Sequence, residues 1–241
     1  MSSNKEIIWI TGASSGLGAE LTKEFCRRGA LVFATARRFE ALEDLKLQID
    51  NLDLNNDYNL IIKKCDVSSN DDVSESLKSI SEKGNLVCLI NNAGITSFKR
   101  AEENTIEEIE EIIQTNLLGS IYTIKSVLPE MISRKKGIIF NLLSVVTKKI
   151  FTNSSAYSAS KVGLMGYVNV LREEVRKYNI KIVNIIPGAT DTSIWSKEMI
   201  EKYSSLMMRP EEIANQIAEI YFNQNSIVIE EIVMRPIGGD L

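Results

Sequence analysis

Tyr157 and Lys161 stand four residues apart at the start of a long helical segment, so their side chains share one face and can converge. A free tyrosine ionises near pH 10, and acid or base work near neutrality asks for a downward shift of roughly 2 to 3 units. A neighbouring ammonium supplies much of such a shift by favouring the phenolate. The spacing alone recurs by chance on many helices, so its weight depends on context. The chain has no histidine, which removes the commonest general base, the commonest metal ligand and every Ser-His-Asp triad. Any proton transfer falls to another group.

A second cluster suits phosphate. Thr11-Gly12-Ala13-Ser14-Ser15-Gly16-Leu17-Gly18 follows the first apolar run and opens directly into a helical segment. Glycine lets backbone approach a ligand closely, and exposed amides at a helix start favour a pyrophosphate. Gly12, Ser14, Ser15, Gly16, Leu17 and Gly18 are the expected contacts. The spacing G-x-x-x-G-x-G differs from the general dinucleotide pattern G-x-G-x-x-G. The second apolar run ends in Ala36-Arg37-Arg38 with no acid to take the ribose hydroxyls of NAD(H). Arg37 fits a phosphorylated ribose through paired charge-assisted hydrogen bonds, with Arg38 beside it. NADP(H) is therefore preferred over NAD(H).

Short apolar runs recur at Ile7–Ile10, Leu31–Ala36, Leu60–Cys65, Leu86–Asn91, Gly137–Leu143, Lys181–Ile186 and Ile227–Met234. Amphipathic segments lie between them, clearest at Leu17–Arg28, Asn70–Glu82, Ala156–Tyr178 and Pro210–Phe222. The alternation predicts an α/β chain with a doubly wound, Rossmann-type parallel sheet of about seven strands, folded as a single domain over residues 1–241. The turn-rich stretch Asn51–Asp57 is read as a surface loop, and 190–208 as a substrate lid.

A length of 241 residues, 44% hydrophobic and 25% charged, is that of an ordinary globular chain, and a net charge of -4 offers no general field for nucleic acid. No stretch resembles a signal peptide or a membrane span, so the expectation is cytoplasmic with no membrane partner. Cys26, Cys65 and Cys88 are too scattered for a disulfide framework or metal cluster; they are expected to be reduced packing residues, with no metal site.

Taken in order, the motifs resemble those of the classical short-chain dehydrogenase/reductase family over nearly the whole chain. T-G-x-x-x-G-x-G runs from Thr11 to Gly18, Asp66-Val67 matches the family's adenine contact, and Asn91-Asn92-Ala93-Gly94 its N-N-A-G motif. The resemblance implies a catalytic set of Asn116, Ser144, Tyr157 and Lys161, with Ser144 the family's usual 13 residues before the tyrosine (157 − 144). It adds Asn92, Ala93, Gly94, Pro187, Gly188, Thr190 and Thr192 to the cofactor contacts, and Tyr157 and Lys161 serve both roles. Thr192 fits the position that meets the nicotinamide carboxamide. The implied activity is reduction of a small carbonyl, or oxidation of the matching alcohol, with a 3-oxoacyl thioester as one version; the alternative is a catalytically silent nucleotide sensor of the same fold.

The substrate end departs from the family. Leu143 precedes Ser144 where a second serine is common, and Val145-Val146-Thr147-Lys148-Lys149 follows. Lys148 or Lys149 suits an acidic substrate or an acyl-carrier partner, and Phe98, Phe151, Trp195 and the Met207-Met208 pair suit apolar walls. By resemblance the chain is a homodimer or homotetramer packed through Thr105–Arg134 and Ala156–Tyr178, and the apolar edge 227–234 is expected to be covered by a partner.

Overall fold

The computed structural model describes residues 5–51, 59–223 and 226–240. Strands and helices alternate in the order β1 (Glu6–Thr11), α1 (Gly16–Arg27), β2 (Leu31–Ala36), α2 (Phe39–Asp50), β3 (Asn59–Lys64), α3 (Asn70–Ser81), β4 (Asn85–Asn91), α4 (Ile106–Ile113), α5 (Gly119–Arg134), β5 (Gly137–Leu142), α6 (Ser155–Val175), β6 (Ile180–Pro187), α7 (Lys197–Tyr203), α8 (Pro210–Phe222) and β7 (Glu231–Met234). The strands form one seven-stranded sheet in the order β3-β2-β1-β4-β5-β6-β7, and every neighbouring pair is parallel.

Both faces of this sheet are covered, so its strands must be apolar on both sides. Ile8 and Ile10 of β1 face Leu21, Phe25, Leu42, Ile213 and Ile217 of α1, α2 and α8. Ile7 and Trp9 face Val73, Ile80, Ile124, Val127, Leu164 and Val168 of α3, α5 and α6. The one polar atom of the Trp9 ring donates to Thr35 Oγ1 at 2.9 Å, which removes the cost of burying it. Helix starts carry the expected chemistry: Ser69 Oγ accepts the Asp72 amide, Thr105 and Glu108 cap each other's backbone, and Pro210 opens α8 ahead of Glu211 and Glu212.

The chain winds outward from β1 to β3 and then crosses back to β4. This reversal leaves a crevice above the carboxyl ends of β1 and β4, the place where open α/β sheets hold ligands.

Three boundaries differ from the sequence reading. Residues 227–230 stay outside the sheet, so β7 is only four residues long, at the edge. The helix expected over 105–134 is broken by a π-helical turn, Gln114–Leu118, within which Asn116 is fully buried and bonds Ile95 and Ser160. Region 190–208 is not featureless: it carries α7, a 3₁₀ turn at Ser204–Leu206 and a bridge between Thr190 and Met208. The loop expected at 51–57 lies, from residue 52 on, outside the described residues. No helix among the described residues is long and apolar enough to cross a membrane.

Candidate active site

The crevice is a cavity of about 990 Å³ that runs from the glycine-rich turn, past Tyr157 and Lys161, to an apolar end under 190–203. Its phosphate end is held shut against side chains. Gly12 has φ +63°, and a Cβ there would sit 2.7 Å from Ala93 Cα; a Cβ at Gly18 would sit 2.3 Å from the Gly12 carbonyl oxygen. Asn92 fixes the approach by donating from Nδ2 to the Thr11 and Gly12 carbonyls at 3.0 and 3.1 Å. Thr11 Oγ1 in turn accepts the amides of Asn92 and Ala93, both at 3.1 Å. The N-N-A-G motif thus shapes the turn as well as lining the cavity. Such a backbone cradle at the start of α1 fits a pyrophosphate.

The two arginines divide. Arg38 Nη2 donates to Ser15 Oγ at 2.8 Å and Ser14 Oγ at 3.3 Å, so its guanidinium stands at the phosphate turn. Arg37, read from sequence as the phosphate ligand, pairs instead with Glu111 of α4 at 3.2 Å. Asp66 and Val67 follow β3 at the same end. Asp66 Oδ1 accepts from the amide and hydroxyl of Ser68, at 3.0 and 2.7 Å.

At the centre, α6 brings Tyr157 and Lys161 into the cavity wall, both almost fully buried. The Ser144 hydroxyl faces the Tyr157 phenol. Burial pushes the Tyr157 hydroxyl up to about 12, against the opposing pull of Ser144. Burial likewise pushes the Lys161 ammonium down to about 8. Lys161 Nζ lies 5.8 Å from the Tyr157 ring centroid and donates to the Leu142 carbonyl at 2.6 Å. The downward shift anticipated for the tyrosine is therefore not found; burial favours the neutral phenol, which is a proton donor.

Asn116 is fully buried, and its side chain is committed. Nδ2 donates to the Ile95 carbonyl at 2.8 Å and to Ser160 Oγ at 3.0 Å, while Oδ1 accepts the Ile95 amide at 2.8 Å. Ser160 Oγ then donates to the Tyr157 carbonyl at 2.7 Å. This buried bracket ties the loop after β4, the π turn and α6 together. Ser160, Ile95 and the Leu142 carbonyl escaped the sequence reading; only Ser160, inside Tyr-x-x-x-Lys, carried a positional hint.

The loop after β6 closes the opposite wall. The Gly188 amide donates to the Met234 carbonyl at 2.8 Å, and Thr190 Oγ1 to the Gly188 carbonyl at 3.0 Å. Thr192 stands against Gly16, where a Cβ would meet Thr192 Cβ at 3.1 Å. Pro187, Gly188, Thr190 and Thr192 all line the cavity. At the apolar end Phe98 and Trp195 stack, with ring centroids 4.6 Å apart and planes within 9°. Phe151 lines the same end, but Met207 and Met208 do not: Met207 is buried and Met208 packs on the core. Lys148 pairs with Glu231 at 2.6 Å and Lys149 with Asp240 at 3.2 Å, so neither ammonium stands unpaired toward an acidic substrate.

A family profile for short chain dehydrogenases matches residues 6–202. The chain belongs to the short-chain dehydrogenase/reductase family. It is 32% identical to the sepiapterin reductase of Chlorobaculum tepidum over 98% of both chains, and 31% identical to the farnesol dehydrogenase of Aedes aegypti over 95% of both. Among solved structures it resembles a metagenomic short-chain oxidoreductase in complex with NADP, with a TM-score of 0.83 and 26% identity over 98% of this chain and 99% of that one. The alcohol dehydrogenase of Thermococcus sibiricus, complexed with 5-hydroxy-NADP, superposes with a TM-score of 0.86 at 25% identity over 97% of both. As a short-chain dehydrogenase/reductase the chain is an oxidoreductase that uses a nicotinamide nucleotide, and the glycine cradle with Arg38 above it fits such a group. Of the four residues expected from the sequence as a catalytic set, Ser144, Tyr157 and Lys161 line the cavity, and Asn116 is buried behind Gly94.

Proposed function

We propose that this protein reduces a carbonyl to an alcohol, or runs the reverse, with NADP(H) preferred over NAD(H). The reading rests on one observation: Ser144 and Tyr157 present adjacent hydroxyls with the Lys161 ammonium behind them, in a cavity continuous with the phosphate cradle. Gly12, Ser14, Ser15, Gly16, Leu17, Gly18 and Arg38 would hold the nucleotide, which would supply or accept the hydride.

Ser144 donates to the substrate oxygen and holds it against Tyr157. As negative charge grows on that oxygen, the Tyr157 phenol gives up its proton to it. Lys161, which donates to the Leu142 carbonyl at 2.6 Å, would hold the nucleotide's ribose and lower the cost of the phenolate that remains. Asn116 keeps the π turn registered on α6, so that a relay of water to Lys161 has a fixed wall. Thr190 and Thr192 close the face opposite the cradle. Arg38, beside Ser14 and Ser15, supports preference for the phosphorylated ribose, with Arg37 adding a second cation.

The deciding measurement is NADPH consumption across ketones, aldehydes, quinones and 3-oxoacyl thioesters, with sepiapterin and farnesal added, and NADP⁺ reduction by serine, because relatives carry those names or their alcohols. Turnover that falls by at least a hundredfold in Tyr157→Phe, with NADPH still bound, supports the mechanism. Turnover that survives the substitution refutes it.

A further inference from the structure

The turn that carries Ser144 is held at its far end by the edge of the sheet. Residues 144–149 bond among themselves. The Ser144 carbonyl accepts the Thr147 amide at 3.0 Å and the Thr147 hydroxyl at 2.8 Å, and the Val145 carbonyl accepts the amides of Lys148 and Lys149 at 2.9 and 3.0 Å. The turn is thus one small unit, and what holds its end also places Ser144 at its start. Two lysines reach from that end to the last segment of the chain, Lys148 to Glu231 at 2.6 Å and Lys149 to Asp240 at 3.2 Å. The two ties are unequal. Lys149 is 57% exposed and shares Asp240 Oδ2 with Arg235. Lys148 is 35% exposed and takes Glu231 Oε2, while Oε1 accepts from Asn184 Nδ2 at 3.5 Å.

Glu231 is also fixed from behind. It opens β7 in register with Asn184 of β6, Asn184 is in register with Asn141 of β5, and Asn141 with Asn91 of β4. A row of amides therefore crosses the sheet and ends at this carboxylate. Just before it, the Glu230 carbonyl accepts the Asn184 amide at 2.8 Å and Nη2 of the buried Arg172 at 3.1 Å. Arg172 is itself set by a bond from Nε to the Ile182 carbonyl at 3.1 Å. The Lys148 ammonium holds the Glu231 carboxyl below its usual range. Three residues on, the Met234 carbonyl accepts the Gly188 amide at 2.8 Å, so β7 registers the opposite wall of the cavity as well.

We propose that Lys148 and Glu231 are positioning residues, through which the edge strand β7 sets where the Ser144 hydroxyl stands relative to Tyr157. The effect on rate rests on the carbonyl-reductase reading, whereas the geometry does not. A surface ion pair adds little stability because two side chains must be ordered to form it. This pair acts instead on rate, where a displacement of about 1 Å in a substrate-orienting group costs roughly ten- to a hundredfold.

Crystal structures of the NADP⁺-loaded protein and single-turnover oxidation of bound NADPH by phenanthrenequinone test it together. Lys148→Met and Glu231→Gln are each expected to part the Ser144 and Tyr157 hydroxyls by roughly 0.5 Å or more. The turnover step slows about five- to tenfold, with NADPH affinity and melting temperature as in the parent. Lys148→Arg, which keeps a cation on Glu231, restores both distance and rate, and the double variant is no slower than either single one because one link is removed once. Ser144 unmoved in both single variants overturns the proposal, whatever the turnover. A displaced Ser144 with an unchanged rate overturns it too. A melting temperature lowered by several degrees, together with weaker NADPH binding, would make the pair an ordinary structural tie and has the same consequence. If Ser144 moves while the parent turns over no carbonyl at all, the link stands and the catalytic reading is the one that fails.

Discussion

Lys161 is a charged group kept where charge is expensive. Its ammonium is driven down to about 8 by burial, from an unfolded value near 10.4. The folded chain therefore binds this proton less readily than the unfolded chain does, at a cost on the order of 3 kcal/mol below pH 8. That cost fades between pH 8 and about 10.4, above which both states are neutral. Lys161→Met, which keeps the length and drops the charge, is expected to raise the melting temperature by a few degrees at pH 7 and by progressively less as pH rises to 10. Some of the gain is lost because the Leu142 carbonyl forfeits its donor. Activity should disappear in the same variant, the trade expected of a site held at the expense of stability. A variant no more stable than the parent at pH 7 would mean that the ammonium is not destabilising in the folded chain. The arginines make a second contrast at this scale. Arg38→Ala should weaken NADPH by tenfold or more and NADH by less, because Arg38 follows the end of β2, where the ribose phosphate is expected, and its guanidinium bridges from there to Ser14 and Ser15. Arg37→Ala should do less, since that side chain is shared with Glu111. A nucleotide fluorescence titration reads both.

Between β1 and α1 the constraint is contact between backbones. Gly18 has no room for a methyl, since a Cβ would lie 2.3 Å from the Gly12 carbonyl oxygen and 2.4 Å from Asn92 Nδ2. Neither neighbour yields cheaply, because the first is backbone and the second is held by two carbonyls. Gly18→Ala is expected to lower the melting temperature by several degrees and nucleotide affinity by at least tenfold, whereas Gly166→Ala, with open space around its Cβ, should leave affinity intact. Equal behaviour of the two alanines in calorimetry and titration would refute the cradle. This turn was legible in the sequence because three glycines in eight residues signal backbone approach without any partner being known. The sheet was legible for a similar reason: runs such as Leu31–Ala36 reach the same ends in sequence and in structure. The π turn was not. Residues 105–134 keep a helical period throughout, and the extra residue at Gln114–Leu118 is stabilised by Ile95 and Ser160, which are distant in sequence. The orientation of Arg37 escaped for the same reason, since Glu111 lies 74 residues away. The short β7 was over-read because Ile227 and Ile229 have strand composition, whereas the strand begins only at Glu231.

Over the whole molecule, apolar side chains outside the core gather around the last strand. β7 is the sheet's edge and pairs only with β6, and around it Ile227, Ile229, Val233 and Ile237 are 67%, 42%, 46% and 109% exposed. An open parallel edge offers unpaired backbone groups as well as this apolar surface, and such edges are normally blocked by charge or covered by another chain. Here Glu231, the charge nearest the strand's start, is spent on Lys148 within the same chain. A second copy of the chain is the occupant expected by family resemblance, and a two-fold arrangement would bring the two edges together. Val233→Lys places a charge in the middle of that surface, on a side chain that does not line the cavity. It is expected to shift the protein toward monomer in light scattering at micromolar concentration while nucleotide affinity stays unchanged. The parent running as a monomer would refute self-association, whereas a lysine variant keeping an oligomeric parent's mass would rule this face out as the contact and leave the exposed Val162 and Val170 of α6 as the surface to charge next.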